Sequence, residues 1–204
     1  MKRAFTPEEA GMAVFCLQPS RPVLCTTKNQ DGSDHVAPFG WCMPVSQTPP
    51  MLALAIARSP KMSQSLQNIL RAKEFVINIP DMSLADVVAQ AAFDTRQGEN
   101  KFDRSGLHRL PSQQVLPCGI QECRANLECK VRDIVYPGDH ALILADIVYA
   151  QYDTEAYGGN MLIDIRTFRP VIHLQNFNVK EATSQLHLFL KADAVEAVQV
   201  PFPK

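Results

Sequence analysis

Residues 21–80 decide the fold of this chain, because they set short apolar segments between turns and end in one amphipathic segment and a further apolar run. Residues 21–32 read Arg-Pro-Val-Leu-Cys-Thr-Thr-Lys-Asn-Gln-Asp-Gly. Residues 35–46 read His-Val-Ala-Pro-Phe-Gly-Trp-Cys-Met-Pro-Val-Ser. Residues 49–63 read Pro-Pro-Met-Leu-Ala-Leu-Ala-Ile-Ala-Arg-Ser-Pro-Lys-Met-Ser, and residues 74–80 read Glu-Phe-Val-Ile-Asn-Ile-Pro.

These apolar runs predict four strands. Residues 23–27 are rich in β-formers and are followed by a turn signal at residues 29–33. Residues 35–46 predict one long strand bent by Pro38 and Pro44, and it must be edge-like or bulged because proline cannot donate to a sheet ladder. Residues 51–57 are continuously apolar and predict a buried strand, and residues 75–79 predict a fourth.

Two helices are predicted from capping signals and spacing. Ser59 is expected to be the N-cap of the first helix and Pro60 its first helical residue. The apolar stripe of that helix consists of Met62, Leu66, Ile69 and Leu70. A capping box at residues 83–86 predicts the start of the second helix.

The remaining elements are less regular. Residues 94–120 are polar and turn-rich, which predicts a long surface excursion. Strands are expected at 125–131 and 141–152, joined by a Tyr-Pro-Gly-Asp turn, and shorter ones at 162–165 and 171–174. Residues 182–198 have helical periodicity in places.

Together, about seven strands with two or three helices and no regular alternation predict a mainly β (α+β) protein. We expect a closed or split antiparallel β-barrel with peripheral helices rather than a doubly wound sheet. The sequence has no Gly-x-Gly-x-x-Gly and no Walker loop, so a bound nucleotide is not held in a Rossmann or P-loop manner.

Length, net charge, apolar runs and cysteine spacing exclude several classes of protein. The 204 residues suit one domain, or one domain with an added arm, and the formal net charge of −1 gives no electrostatic case for nucleic acid or an anionic membrane. The longest apolar run, residues 51–57, is too short to span a bilayer. The apolar stretch at residues 12–17 is too short for a signal-peptide core and follows two acids, so we expect a cytoplasmic protein. The six cysteines include no Cys-x-x-Cys, which favours thiols packed in the core over disulfides or a metal site.

A cationic corner lies where the third strand meets the first helix. It contains Arg58, Ser59, Lys61 and Ser63. Cations at a helix start are unfavourable in the helix dipole, and an anion held between them would turn that cost into a binding site. Backbone N–H groups at a helix start also point outward as phosphate donors. The alternative is a solvated helix start whose cations extend into water.

A series of short motifs carries a family resemblance. The first group comprises Thr26-Thr27, Asp31-Gly32, residues 36–41, Val45-Ser46, Pro49-Pro50, Ser59-Pro60-Lys61-x-Ser63, Asn68-Ile69 and residues 74–80. The second comprises Lys101-Phe102, residues 105–107, residues 127–130 and Gly138-Asp139-His140. In this order, over about residues 20–175, the chain resembles the flavin reductase-like, FMN-binding split-barrel family, in particular its flavoredoxin branch.

The resemblance implies a homodimer with FMN bound non-covalently near the dimer interface. It implies an FMN-binding split-barrel domain over residues 1–175. After Gln175 the sequence departs from the family, and we expect a C-terminal extension over residues 176–204, for which packing on the dimer partner is one role. The phosphate is expected at the Arg58–Ser63 corner and the ring along residues 37–46. Gly40 stands where many members of the family carry Ser or Thr. The expected cofactor-binding residues are Thr26, Thr27, Pro38, Phe39, Gly40, Trp41, Ser46, Arg58, Ser59, Lys61, Ser63, Asn68 and Lys101.

The function implied is an FMN-dependent oxidoreductase that transfers electrons from NAD(P)H to a small acceptor: a flavin, a ferric complex or a redox partner. The alternatives are a flavoredoxin-like electron carrier without its own nicotinamide site, and a barrel with no cofactor. His140 is the catalytic candidate, expected to position or polarise, since hydride transfer at a flavin needs no protein base. Its alternative role is structural, at the start of a strand after a turn. Cys42 is expected to pack in the core.

Overall fold

A computed structural model describes residues 2–58, 62–92, 99–164, 167–178 and 183–191, with side chains described up to residue 174. Its α-helices are α1 (Gln64–Ala72), α2 (Ala85–Ala91) and α3 (Lys101–Arg104), and two 3-10 helices cover Pro7–Leu17 and Met82–Leu84. Its strands are β1 (Val23–Lys28), β2 (Asp34–Phe39), β3 (Cys42–Gln47), β4 (Pro50–Ala57), β5 (Glu74–Ile79), β6 (Arg109–Leu110), β7 (Gly119–Ile120), β8 (Ala125–Val135), β9 (His140–Tyr152), β10 (Val171–Asn178) and β11 (Thr183–Lys191).

Seven strands form one antiparallel sheet in the order β2-β1-β5-β8-β9-β4-β3. The prediction of one long strand over residues 35–46 is wrong, because the chain leaves β2 at Phe39 and begins β3 at Cys42. The two strands lie at opposite edges of the sheet, with Pro38 in one and Pro44 in the other. The edge-like character predicted from the prolines is confirmed, since both halves use positions where a missing N–H is tolerated.

The helix starts differ from the sequence predictions. The N-cap of α1 is Ser63, whose Oγ accepts a hydrogen bond from the Leu66 backbone N–H at 3.3 Å, so the predicted N-cap at Ser59 is wrong. Ser59 and Pro60 themselves lie outside the described residues. The 3-10 turn that leads into α2 is capped by Asp81, whose carboxylate accepts from the Ser83 N–H at 2.9 Å. In both cases the capping oxygen belongs to a different residue from the one predicted: Ser63 instead of Ser59, and Asp81 instead of Ser83.

The apolar residues form two clusters. The larger is enclosed by the seven-stranded sheet and includes Leu66 and Ile69 from the predicted stripe of α1. The second lies outside β1 and β2 and includes Phe102 and Ile120, both fully buried. The expectation that residues 94–120 are only a surface excursion is therefore wrong for the described part of that segment.

The C-terminal region also departs from expectation. Strand β10 pairs with β11 in an antiparallel hairpin, so the helical periodicity assigned to residues 182–198 is wrong over Thr183–Lys191. The predicted strand at 162–165 is reduced to an isolated bridge between Ile163 and Tyr157. The division of the chain at residue 175 stays a prediction.

All six cysteines are free thiols, and the described residues contain no group of three His, Cys, Asp or Glu side chains able to hold a metal ion. Among the described helices, none has the length and apolar character needed to cross a membrane.

Candidate functional site

A large cleft lies between β2, the start of α1, the end of α2 and the start of α3. Its volume is about 1190 Å³. The residues that line it are Asn29, Gln30, Asp31, Ser33, His35, Ala37, Pro38, Phe39, Met62, Ser63, Gln64, Ser65, Gln67, Ala91, Ala92, Glu99, Asn100 and Lys101. Four predicted cofactor residues, Pro38, Phe39, Ser63 and Lys101, are thus brought together from distant parts of the sequence.

The start of α1 gives this cleft its most specific feature. Ser63 caps the helix, and Ser65 follows in the first turn. Ser65 is fully buried, and its Oγ has no hydrogen-bond partner among the described residues. A buried hydroxyl without a partner costs free energy, which a ligand oxygen at the helix start would recover. The sequence signal for this group was present in the Ser-Gln-Ser triplet at residues 63–65, but sequence reasoning missed it.

Lys101 and His35 set the electrostatics of the opposite wall. Lys101 Nζ donates to the Ala91 carbonyl at 3.0 Å, which holds the ammonium beside the cleft. Burial, reinforced by the charge of Lys101, lowers the pKa of His35 to about 4, so its imidazole is neutral at physiological pH. His35 was also missed from the sequence, although the period-two alternation of a strand places it on the face of β2 that carries Ala37. Lys101 is the cation among the described lining residues, and Asp31 and Glu99 are the acids.

The side chain of Arg58 is bonded to the turn between β8 and β9 rather than extended into water. Its Nε and Nη2 donate to the Gly138 carbonyl at 3.1 and 2.9 Å, and its guanidinium lies 5.2 Å from the centre of the Tyr136 ring. Its backbone N–H donates to the Asp139 carbonyl at 2.9 Å. Arg58 therefore joins the end of β4 to the turn between β8 and β9, and in the described structure its guanidinium is occupied by that turn.

His140 lies at the start of β9, directly after that turn. Its ring stacks on Trp41 with centroids 4.6 Å apart and planes 22° apart, and its Nδ1 lies 2.7 Å from Asp139 Oδ1. The hydrogen bond with His140 holds the pKa of Asp139 below its usual value. The arrangement can fix the orientation of the imidazole, because one face and one nitrogen are both engaged.

Three predicted cofactor residues are buried and bonded to other protein groups. Thr26 Oγ1 donates to the Cys118 carbonyl, and Asn68 Nδ2 donates to Thr27 Oγ1 at 3.0 Å and to Asn29 Oδ1 at 2.9 Å. All three side chains are within the protein, with at most 2% of any of these residues exposed. Their hydrogen bonds join β1, α1 and the turn after β1, so they fix the walls of the cleft rather than line it.

The remaining predicted cofactor residues lie outside the cleft or outside the described residues. Gly40 and Trp41 line a second, smaller pocket, and Ser46 is half-buried on the edge strand β3. Ser59 and Lys61 lie outside the described residues. A Cβ added to Gly40 would lie 2.6 Å from Ser20 Oγ, so a larger residue at this position would require the Ser20 hydroxyl to rotate away.

These features define a class of protein: an antiparallel barrel open between two edge strands, with a polar cleft beside a helix start. Solved structures share that fold. Nitrilotriacetate monooxygenase component B from Bacillus cereus superposes with a TM-score of 0.82 at 17% identity, over 97% of this chain and 99% of that one. A putative flavin reductase with a split barrel domain from Shewanella frigidimarina gives 0.77 at 17% identity, over 98% and 95%. Flavoredoxin of Desulfovibrio vulgaris (Miyazaki F) gives 0.68 at 20% identity, over 88% and 91%. The predicted split-barrel fold is confirmed.

Sequence relatives and a family model identify the family. An uncharacterized protein, YwrF, from Bacillus subtilis is 30% identical over 131 residues, which is 63% of this chain and 64% of that protein. An uncharacterized protein from Methanothermobacter thermautotrophicus is 32% identical over 145 residues, 69% of this chain and 67% of that protein. The chain thus spans about two thirds of these relatives. The family model "Flavin reductase like domain" matches residues 17–171, and the chain belongs to that family, as the motifs indicated.

Proposed function

We propose that this protein is an FMN-dependent oxidoreductase that accepts electrons from NAD(P)H and passes them to a small acceptor. Membership of the flavin reductase-like family supports flavin binding and a redox reaction. One structural neighbour, SgcE6 from Streptomyces globisporus, is an NADH:FAD oxidoreductase, which supports a nicotinamide as the electron donor. The observation that carries the proposal is the buried Ser65 hydroxyl at the start of α1, which has no partner among the described residues and belongs to the wall of the cleft.

The residues of this cleft fit a flavin mononucleotide. A phosphate at the start of α1 would accept hydrogen bonds from Ser63 and Ser65 and from backbone N–H groups, where the helix dipole favours negative charge. Ser59 and Lys61, predicted from the sequence, complete the phosphate site in this proposal. Pro38 and Phe39 offer an apolar wall to the ring system, and Lys101 adds one positive charge. A single anion-binding corner favours FMN over FAD, whose second phosphate would need its own donors.

The chemistry divides between cofactor and protein. FMN supplies the hydride- and electron-transfer chemistry when it is bound. The protein would hold the phosphate with Ser63 and Ser65 at the start of α1 and would offer Pro38 and Phe39 of β2 to the ring system. His140, held by Asp139 and Trp41, positions the nicotinamide or the acceptor.

A homodimer and a cytoplasmic location belong to the same proposal. The edge strand β3 leaves Met43 59% and Val45 43% exposed, and an unpaired apolar edge is a surface that a second copy would cover. Neither nucleic acid nor a membrane is proposed as a partner.

The test is anaerobic reduction of the FMN-reconstituted protein. Addition of NADH or NADPH should bleach the visible absorption of the bound flavin within seconds. A flavin that dithionite reduces but neither nicotinamide does would identify an electron carrier, the alternative that the flavoredoxin neighbours support. A protein that binds no flavin would contradict both functions.

A further inference from the structure

Lys101 reaches the cleft from α3, which is a helix of only four residues, Lys101–Arg104. A helix this short is not stable by itself, because forming its first turn fixes several residues for very few hydrogen bonds. The place of Lys101 in the cleft wall therefore depends on contacts that hold α3 against the rest of the protein.

Two contacts join α3 to β2, one before and one after Lys101. The side chain of Asn100 caps the helix by accepting from the Phe102 N–H at 2.9 Å, and its Nδ2 donates to the Asp34 carbonyl at 3.0 Å. On the other side of Lys101, Arg109 of β6 forms the second contact. The two contacts together fix both the position and the direction of α3.

Arg109 bridges two carboxylates with one guanidinium. Its Nη2 donates to Asp103 Oδ1 at 2.6 Å, and its Nε donates to Asp34 Oδ2 at 2.8 Å. The guanidinium also lies 4.5 Å from the centre of the Phe102 ring, which is fully buried in the second cluster, and a cation over an aromatic ring is attracted to it. Arg109 thus contacts both residues that directly follow Lys101 in the sequence.

This bridge is not needed to neutralise Asp34. Lys28 Nζ lies 2.7 Å from Asp34 Oδ1, so this carboxylate, with 6% of its side chain exposed, keeps a cation when Arg109 is removed. At the other end of the bridge, the side chains of Arg109 and Asp103 are 43% and 61% exposed. Exposed ion pairs add little to global stability. The main effect of the bridge is therefore local, on the position of α3.

The position of α3 matters for the charge inside the cleft. Lys101 is the cation among the described lining residues, and its Nζ donates to the Ala91 carbonyl at 3.0 Å. Burial lowers the pKa of His35 to about 4, and the charge of Lys101 adds to this effect, so the ammonium lies close to the imidazole on β2. A shift of α3 would therefore move the positive charge away from β2.

We propose that Arg109 is a positioning residue, which holds α3 on β2 and thereby keeps the Lys101 ammonium at the FMN site. Arg109 is not among the described residues that line the cleft, so its effect on a ligand passes through Lys101. The inference rests on the proposed function for the identity of the ligand, but the position of Lys101 can be measured without any flavin.

The first measurement is the rate at which an acetylating reagent modifies Lys101 in the flavin-free protein, followed by peptide mass spectrometry. Arg109→Ala should let the ammonium leave the cleft wall and speed its acetylation by about threefold or more, because local opening exposes it to the reagent. Asp103→Asn, at an exposed position, breaks the same bridge on the α3 side and should give the same result even if Arg109→Ala fails to fold. Acetylation of Lys73, an exposed lysine after α1, is the internal reference and should not change.

The second measurement is the FMN affinity in a double-mutant cycle. Arg109→Ala should weaken FMN binding by about fivefold or more when Lys101 is present. It should weaken FMN binding by less than about twofold when Lys101 is already replaced by alanine, because the two residues act on the ligand as a unit.

Arg124→Ala is the matched control. Arg124 also bridges two carboxylates, since its Nε lies 2.7 Å from Asp81 Oδ2 and its Nη1 lies 2.7 Å from Asp153 Oδ2. These three residues are not part of the described lining of the cleft. Removal of Arg124 should lower the melting temperature but leave the acetylation of Lys101 and the FMN affinity as in the wild type.

Unchanged acetylation of Lys101 in both Arg109→Ala and Asp103→Asn would overturn the proposal. Equal losses of FMN affinity with and without Lys101, or an equal loss in Arg124→Ala, would also overturn it, because Arg109 would then be a general stabiliser of the fold. If the wild type binds no FMN, the proposed function is wrong, and the acetylation rates alone decide whether Arg109 positions Lys101.

Discussion

Replacing Ser65 with alanine should have opposite effects on the free protein and on its complex with FMN. The hydroxyl is buried at the start of α1 and has no partner among the described residues. In the free protein it therefore adds a desolvation cost without a compensating hydrogen bond. In the complex it is proposed to donate to the phosphate.

The magnitudes follow from these two environments. An unsatisfied buried polar group costs about 1–3 kcal/mol, so removing it should stabilise the free protein by about 1 kcal/mol or more. For a domain of this size each 1 kcal/mol raises the melting temperature by about 2–4 °C. A hydrogen bond to a charged group contributes about 1.5–3 kcal/mol, so FMN affinity should fall about ten- to a hundredfold. Riboflavin, which lacks the phosphate, should bind as before.

The assay compares thermal melting of the free protein with titrations of FMN and riboflavin. Ser63→Ala is the matched control, because it removes the N-cap hydrogen bond and should destabilise the free protein by about 1 kcal/mol. If Ser65→Ala destabilises the free protein, or weakens FMN and riboflavin equally, then Ser65 has no unsatisfied hydroxyl waiting for a phosphate and the reasoning is wrong.

Three further changes test the framework of the site. Burial alone would raise the pKa of Asp34, but hydrogen bonds from Lys28 and Arg109 outweigh it and hold the pKa below its usual value. The ionised form of Asp34 therefore stabilises the protein above its unfolded-state pKa of about 4. Asp34→Asn should lower the free energy of unfolding at pH 7, and the difference from the wild type, measured by urea denaturation, should shrink as the pH is lowered. A difference that does not change with pH would contradict this. Arg58→Ala should reduce stability by about 1–2 kcal/mol, measured by denaturation, and alter FMN and riboflavin binding equally, whereas selective loss of FMN would make Arg58 a phosphate ligand. His140→Ala should retain FMN but slow its reduction by NAD(P)H about tenfold or more in stopped-flow absorbance, and unchanged kinetics would assign His140 a purely structural role.

The sheet was predictable where local chemistry and tertiary structure agree. The turns at residues 29–33 and 136–139 and the buried run at residues 51–57 gave strands close to those observed. The prolines indicated edge positions in residues 35–46 but not that the two halves separate to opposite edges, because strand order depends on pairing between distant segments. The hairpin of β10 and β11 was missed for a similar reason, since alternation at Leu186, Leu188 and Leu190 competes with a helical interpretation of the same residues.

The cleft was predictable as a set of segments rather than as a set of side chains, and its role as the FMN site stays a prediction. The motifs placed β2 and the start of α1 at the site, and the cleft joins them. The sequence could not reveal that Thr27 and Asn68 bond to each other inside the protein, or that the guanidinium of Arg58 is directed to the Gly138 carbonyl. Such partners are decided by side-chain direction after folding. His35 and Ser65 were missed because neither belongs to a motif, although both line the cleft.

The central claim is that the cleft beside α1 recognises FMN by its phosphate. The most direct measurement is a parallel titration of the apoprotein with FMN, riboflavin and FAD, followed by flavin fluorescence. FMN should bind at least about tenfold more tightly than riboflavin, the difference expected from one or more charge-assisted hydrogen bonds to the phosphate, and more tightly than FAD. Equal affinities for FMN and riboflavin, or a preference for FAD, would contradict the account.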